Sequence, residues 1–178
     1  LSVAGWRVVP TDHSVLGDLA ASGVPQIEQV FVNAPSGWRK RDLERRLFMA
    51  RRRAEKRMSE DSEFYIACLS TLVTVYKGLV MPKDLPKFYL DLADERMQSA
   101  ICVFHQRFST NTWPQWRLAQ PFRYLAHNGE INTVQGNRNW ALARGAKFAT
   151  SLIENMEDIR PLVGTTGSDS SSMDNMLE

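Results

Sequence analysis

The clearest hydrophobic pattern in the chain lies in residues 39–60. Apolar residues recur there at spacings of three and four, at Leu43, Leu47, Ala50, Ala54 and Met58. Because an α-helix has 3.6 residues per turn, this spacing places them on one face and predicts a long amphipathic helix. The same kind of pattern predicts a helix over residues 137–146, and residues 88–97 are predicted to form a short helix.

Other segments have the composition of β-strands. Residues 26–32, 64–70, 72–76 and 99–108 are rich in apolar and β-favouring side chains. Residues 122–133 carry Asn128-Gly129 between two extended-looking halves, which is a strong signal for a β-hairpin. Strands in hairpin order, with helices before and after them, predict an α+β fold with antiparallel sheets. No linker-like stretch interrupts residues 1–178, so we expect no internal domain boundary.

The amino-acid composition is that of a globular domain and argues against a membrane-spanning protein. Hydrophobic residues make up 43% and charged residues 24% of the 178, as in ordinary globular domains. The sequence has no apolar run of about 18 residues, the length that a membrane span needs. Cys68 and Cys102 lie in apolar runs and are predicted to be buried free thiols, which favours a reducing compartment.

The predicted long helix is strongly basic. Ten of the 22 basic residues fall between Arg39 and Arg57. The basic face of such a helix could bind phosphates. Alternatively, it could be exposed to solvent, with its long side chains paired to nearby acidic residues. Acidic residues are interleaved and no aromatic residues alternate with the basic ones. We therefore predict a solvated face and no nucleic-acid partner.

Ordered motifs in the second half of the chain point to chemistry. They cover residues 102–114, residues 127–132 (His-Asn-Gly-Glu-Ile-Asn), residues 136–140 (Gly-Asn-Arg-Asn-Trp) and residues 167–175 (Gly-Ser-Asp-Ser-Ser-Ser-Met-Asp-Asn). Together they resemble the glutaminase domain of glutamate synthases, which are class II (N-terminal nucleophile) glutamine amidotransferases. The resemblance implies an N-terminal-nucleophile hydrolase-type four-layer αββα sandwich with antiparallel sheets. Residues 1–178 would be an internal portion of that domain.

The resemblance assigns a role to each site residue. Arg107 would bind the α-carboxylate of glutamine, since a guanidinium fork matches a carboxylate. Thr110 would add a contact, and Asp169 would bind the α-ammonium. The side-chain amide of Asn128 and the backbone N–H of Gly129 would form the oxyanion hole for the tetrahedral intermediate.

Simpler readings of the same residues stay open at this point. Arg107 could be a surface arginine, and Asp169 could be an N-cap ahead of a helix over residues 171–177. The hairpin and oxyanion readings of Asn128-Gly129 are compatible, because the turn would present the donors. His105 and His127 are expected to brace the site or to pack beside it, since the family's general base is the α-amine of the nucleophile.

The family's nucleophile is an N-terminal cysteine, activated by its own amine. This chain begins with Leu1, and neither Cys68 nor Cys102 carries a free α-amine. We therefore expect an internal portion of a larger synthase, which by itself hydrolyses no glutamine. The alternative is a catalytically inactive amidotransferase-like module that senses glutamine or mediates assembly.

The resemblance also implies partners and cofactors. The substrate would be L-glutamine, and the released ammonia would pass to the remaining domains of the same synthase for reductive amination of 2-oxoglutarate. FMN and an iron–sulfur cluster are implied for the full-length enzyme, with electrons from a nicotinamide cofactor, an electron-donor subunit or ferredoxin. No cofactor or metal site is expected in this segment, because two cysteines are too few for a cluster. A cytoplasmic or plastid location is expected.

Overall fold

The computed structural model describes residues 1–107, 113–128 and 130–178. Its strands are β1 (Ser2–Val8) and β2 (Glu28–Asn33). Its α-helices are α1 (Asp18–Ala21), α2 (Lys40–Arg57), α3 (Leu85–Phe88), α4 (Val134–Gly145) and α5 (Asp169–Leu177). Short 3₁₀ turns cover His13–Val15, Pro82–Asp84, Leu90–Ala93, Trp116–Leu118 and Met156–Asp158.

The sheet of the described residues is antiparallel and has two strands, β1 and β2. Trp6 lies opposite Val30, and Val8 lies opposite Glu28. β2 confirms the strand that was predicted for residues 26–32. β1 was not among the predicted strands.

The long helix α2 confirms the prediction for residues 39–60. Leu47, in the middle of the apolar stripe, is buried. Asp42 lies in the first turn and Lys56 and Arg57 in the last, where their charges complement the helix dipole. Met58, the last residue of the predicted stripe, follows the helix and is exposed.

The basic side chains of α2 do not all face solvent, so the predicted solvated face was wrong for part of the helix. Arg51 is only 2% exposed and pairs with Glu55 at 2.9 Å. Other basic side chains bind a segment about a hundred residues away: Arg52 Nη2 donates to Ile159 O (2.8 Å), Arg53 Nε to Asp158 Oδ2 (2.8 Å) and Lys56 Nζ to Glu157 O (2.7 Å). The helical pattern could not show these partners, because they are distant in sequence. The absence of a nucleic-acid partner stays a prediction.

Aromatic side chains form the main core cluster. Val9, Phe88, Tyr89 and Trp116 are all buried. The rings of Phe88 and Tyr89 meet edge to face at 4.7 Å, and Phe88 lies 5.5 Å from Trp116. A Cβ at Gly78 would lie 2.3 Å from Cζ3 of Trp116, so only glycine permits this close approach.

Several strand predictions were wrong. Residues 64–70, 72–76 and 99–107 contain no strand, and Ile101 and Phe104 are each 79% exposed. Strand-like composition shows only that the side chains of a segment favour a β-sheet. A β-strand also needs a neighbouring backbone segment as its hydrogen-bond partner. None of the described residues supplies one here. Near residue 71 the acceptor is a side chain instead, because Thr71 N donates to Glu44 Oε1 at 2.7 Å.

The helix predicted for residues 88–97 was also wrong, since α3 ends at Phe88. Tyr89 has extended backbone angles, and Leu90 N donates to Pro10 O at 3.2 Å. The burial of the successive rings of Phe88 and Tyr89 in the core is thus favoured over a further turn of helix. The prediction for residues 137–146 is confirmed by α4. Within the described ranges, no helix has the length and apolar character that a membrane crossing requires.

Candidate functional site

The start of α5 is the centre of a buried polar cluster. Gly167 has φ of +91°, a conformation that glycine adopts without strain, and it turns the chain into the helix. Ser168 is the N-cap, and its Oγ accepts a hydrogen bond from Ser171 N at 3.1 Å. Asp169 is therefore the first helical residue, and the interpretation of Asp169 as the N-cap was wrong. Ser168 and Ser170 are each 1% exposed, so this polar turn lies inside the protein.

Arg138 of α4 binds this turn from one side. Its guanidinium donates to Gly167 O at 2.9 Å and to Ser168 O at 3.2 Å. The same group donates to Ser172 Oγ at 2.8 and 3.0 Å. Arg138 is 9% exposed, and these bonds satisfy a charge that would otherwise be buried without partners. The motif at residues 136–140 is thereby fixed to the motif at residues 167–175.

Asp169 fixes the same turn to the segment that follows Asn128. Its Oδ2 accepts a hydrogen bond from Ile131 N at 2.7 Å, and its Oδ1 accepts one from Ser170 N at 2.6 Å. Asp169 is 8% exposed. The N-terminal end of α5 favours a negative charge at this position. The Asp169 carboxylate is thus hydrogen-bonded to Ile131, which lies three positions after Asn128 in the sequence.

A glutamine side chain holds the residue before Asn128. Gln120 Nε2 donates to His127 O at 2.9 Å, and His127 N donates to Gln120 Oε1 at 2.8 Å. The His127 ring lies 3.4 Å from Ser170 Oγ, measured from Nδ1. His127 thus packs beside the buried turn, as the sequence suggested. The Asn128 side chain is exposed, and no described residue forms a hydrogen bond with it.

No strand forms within the described part of residues 122–133, so the predicted hairpin was wrong. Carboxylates replace a partner strand as acceptors for the backbone. Asp174 of α5, which is 1% exposed, accepts hydrogen bonds from Tyr124 N at 2.8 Å and Arg123 N at 3.3 Å. Asp169 does the same for Ile131 N. A dipeptide signal for a hairpin cannot anticipate acceptors that come from a helix 38 to 51 residues away.

Arg107 is not joined to this cluster in the described structure. Its side chain is exposed, and no described residue forms an ion pair with it. Its backbone N donates to Nδ1 of His105 at 3.1 Å. Thr110 and Gly129 lie outside the described residues. Of the predicted site, the structure therefore brings Asp169 together with the Asn128 segment.

A buried ionic network supports the opposite end of α5, and sequence reasoning missed it. Arg123 pairs with Glu55 at 3.0 Å and with Glu178 at 3.3 Å. Arg51 also pairs with Glu178 and Glu55. Burial raises the pKa of Glu178, while the charges of Arg123 and Arg51 act against that rise. No sequence signal could reveal the pair of Arg51 and Glu178, whose members are 127 residues apart.

Lys77 is another buried basic residue that the sequence did not single out. It is 8% exposed, its Nζ donates to Arg117 O at 2.8 Å, and it lies 5.1 Å from the centre of the Phe122 ring. Burial, reinforced by the charge of Arg123, lowers the pKa of Lys77 to about 7. The amine is therefore largely neutral at slightly alkaline pH.

Two open clefts in the described part of the chain lie away from the predicted site residues. One, of about 360 Å³, lies between α4 and residues 160–163, and the other, of about 250 Å³, lies beside Trp113 and Trp116. Asn128 and Asp169 line neither of them. The polar cluster at α5 is therefore identified by its hydrogen bonds and burial.

The cysteines correct one prediction and bear on metal binding. Both are free thiols, but Cys102 is exposed and Cys68 only half-buried, so the prediction of two buried thiols was wrong. Burial nevertheless raises the pKa of Cys68.

Among the residues that the structure describes, no group of three or more His, Cys, Asp and Glu side chains is placed to hold a metal ion.

Comparison with known proteins gives the family. Residues 1–178 match the family described as "Glutamine amidotransferases class-II". The chain therefore belongs to the class II glutamine amidotransferases. This membership implies the N-terminal-nucleophile hydrolase fold, to which the antiparallel pair β1–β2 and the helices would contribute.

Individual relatives are similar to the chain along its whole length. It is 43% identical over 179 residues to the glutamate synthase [NADPH] large chain of Azospirillum brasilense and 45% identical over 179 residues to that of Bacillus subtilis (strain 168). It is 45% identical over 180 residues to ferredoxin-dependent glutamate synthase 2 of Synechocystis sp.. These alignments cover 99–100% of the chain but only 11–12% of the relatives. The resemblance seen in the motifs is thereby confirmed.

Proposed function

We propose that this chain is the glutamine-binding and oxyanion part of the glutaminase domain of a glutamate synthase. That domain would release ammonia from L-glutamine for the reductive amination of 2-oxoglutarate to glutamate. Its complete form would be the four-layer αββα sandwich with antiparallel sheets. The identity of 43–45% to glutamate synthases supports this proposal.

One observation carries the proposal for the site. The Asp169 carboxylate accepts a hydrogen bond from Ile131 N at 2.7 Å, so the proposed ammonium-binding group is attached to the segment that holds Asn128 and Gly129. Glutamine carries its α-ammonium and its side-chain amide at opposite ends of one short chain. A site for it needs an anion and oxyanion donors at a fixed separation, and this bond supplies such a link.

The proposed roles follow from the chemistry of glutamine. Asp169 would bind the α-ammonium, and the exposed Arg107 guanidinium would bind the α-carboxylate with help from Thr110. Attack by the nucleophile turns the planar amide carbon tetrahedral and moves negative charge onto its oxygen. The Asn128 amide and the Gly129 N–H would donate to that oxygen. The exposure of the Asn128 side chain supports this role.

The nucleophile is proposed to be a cysteine outside these residues. We keep the prediction that the 178-residue chain alone releases no ammonia, because neither Cys68 nor Cys102 has a free α-amine. FMN and an iron–sulfur cluster would be bound by other parts of the full-length protein. The relatives include NADPH and ferredoxin-dependent synthases, so both electron donors stay open.

Replacing Asn128 in the full-length protein tests the proposal. We expect Asn128→Ala to lower kcat for glutamine-dependent ammonia release by about 100- to 1,000-fold, with little change in KM. Glutamate formation from added ammonia, which bypasses the glutaminase step, should be unaffected. Asn33→Ala is the matched control, because Asn33 is an exposed residue at the end of β2.

Three results would decide against the proposal. A kcat for Asn128→Ala within about threefold of the wild type would remove the oxyanion role. Glutamine binding without any ammonia release by the full-length protein would favour the inactive sensing module. An equal loss of kcat in Asn33→Ala would show that the effect is not specific to the site.

A further inference from the structure

We infer that Gln120 is a positioning residue for Asn128, whose side-chain amide is a proposed oxyanion donor. This inference rests on the proposed function and deepens it. Gln120 does not contact the reacting atoms in this scheme. It acts through the backbone of His127, the residue directly before Asn128.

The contact between Gln120 and His127 has two hydrogen bonds in opposite directions. Gln120 Nε2 donates to His127 O at 2.9 Å, and Gln120 Oε1 accepts from His127 N at 2.8 Å. The side-chain amide thus substitutes for a neighbouring β-strand at one residue. The two bonds hold the peptide groups before and after the His127 Cα. Together they limit both the position and the rotation of His127, whereas a single bond would allow it to pivot.

The surroundings make this contact important for the segment. Across residues 126–128, the backbone hydrogen bonds that the structure describes are those with Gln120. The next backbone hydrogen bonds that the structure describes are those of Leu125 O with Phe122 N, of Tyr124 N with Asp174 and of Ile131 N with Asp169. Gln120 therefore holds the backbone of the residue directly before Asn128.

Glutamine suits this position for a chemical reason. Its carboxamide offers a donor and an acceptor at the same reach, as an antiparallel backbone partner would. Gln120 is 6% exposed, so water cannot readily replace either bond. A carboxylate of the same size would place an acceptor against the His127 carbonyl, and a methionine would leave both backbone groups without a partner.

The test is a kinetic comparison in the full-length protein. We expect Gln120→Met to lower kcat for ammonia release by about 10- to 100-fold, since a displacement of about 1 Å of catalytic groups has effects of that size. KM for glutamine and the inhibition constant of L-glutamate should stay within about threefold, because Arg107 and Asp169 are unchanged. Gln120→Glu should lower kcat in the same way. Gln98→Met, at an exposed glutamine, is the matched control.

A double-mutant cycle with Asn128→Ala separates positioning from general stability. If Gln120 acts by placing Asn128, the double variant should be faster than the product of the two single effects predicts, by about threefold or more. A purely structural role would multiply the two effects. Circular dichroism and the inhibition constant of L-glutamate, measured for each variant, show whether the site is folded.

The outcomes distinguish this inference from the proposal beneath it. If Asn128→Ala keeps its kcat, the proposed function fails. If Asn128→Ala loses kcat but Gln120→Met does not, or if the two effects multiply fully, only the inference about Gln120 is overturned. A variant that loses L-glutamate binding together with kcat also counts against a positioning role.

Discussion

Lys77 gives the sharpest prediction for stability. The side chain is 8% exposed, and its amine lies against the Phe122 ring and the Arg117 carbonyl, at 5.1 Å from the ring centre and 2.8 Å from the oxygen. Ring and carbonyl favour the ammonium form, but burial opposes it more strongly. The pKa of Lys77 consequently falls from 10.5 to about 7.

The sign of the pH dependence follows from proton uptake. Unfolding returns the amine to water, where it binds a proton at any pH below about 10. Between pH 7 and pH 9 the unfolded chain binds more protons at Lys77 than the folded chain, so the free energy of unfolding rises with pH. With a folded pKa of about 7, this one group contributes a rise of about 2 kcal/mol across that interval. Well below pH 7 both states are protonated and the contribution is constant.

The experiment compares Lys77→Met with the wild type in urea at pH 7 and pH 9. Methionine has a similar volume and no titratable group, so the variant should lack this rise of about 2 kcal/mol. Tryptophan fluorescence, to which the buried Trp116 contributes, reports unfolding. Lys83→Met is the control, because Lys83 is exposed and should leave the pH dependence unchanged. Equal pH dependence in Lys77→Met and the wild type would refute the reasoning.

Two further substitutions test the packing that supports the site. Gly78→Ala places a Cβ 2.3 Å from Trp116 Cζ3 and should destabilise the protein by about 2 kcal/mol or more. Gly136→Ala is the control, because nothing lies within 4 Å of the new Cβ. Similar melting temperatures for the two variants would contradict the close approach at Gly78. Arg138→Met removes the hydrogen bonds to Gly167 O, Ser168 O and Ser172 Oγ, and the buried acceptors left behind should cost about 2 kcal/mol or more in a denaturation experiment. Arg138→Lys should recover part of that loss, and a fully stable Arg138→Met would show that other groups hold the start of α5.

Helices α2 and α4 were predicted well because their signal is local, whereas the helix predicted for residues 88–97 was wrong. The apolar spacing in α2 and α4 reports which residues share a face, and that property depends on a few neighbouring positions. The motifs likewise gave the family, because they carry specific residue types at fixed spacing. For the candidate site, Asp169 and the segment of Asn128 were chosen from sequence, and the structure places them together through Ile131.

Strands and buried charges were predicted poorly because their partners are distant. A strand needs a neighbouring backbone, and for residues 99–107 none of the described residues provides it. The basic composition of α2 suggested a solvated face, yet Arg51 is buried in a network that reaches Glu178. Gln120 also looked unremarkable in sequence, because its role depends on two bonds to a residue seven positions later.

The sequence by itself therefore determined helices α2 and α4, the family resemblance and the residue types that are proposed for a glutamine site. Tertiary structure decided how those residues are held. Helix α5 supplies Asp169 and Asp174 as acceptors for the backbone of residues 123–131, where the sequence had predicted a hairpin. The physical reason is that a buried backbone N–H must find an acceptor, and which acceptor it finds depends on the fold.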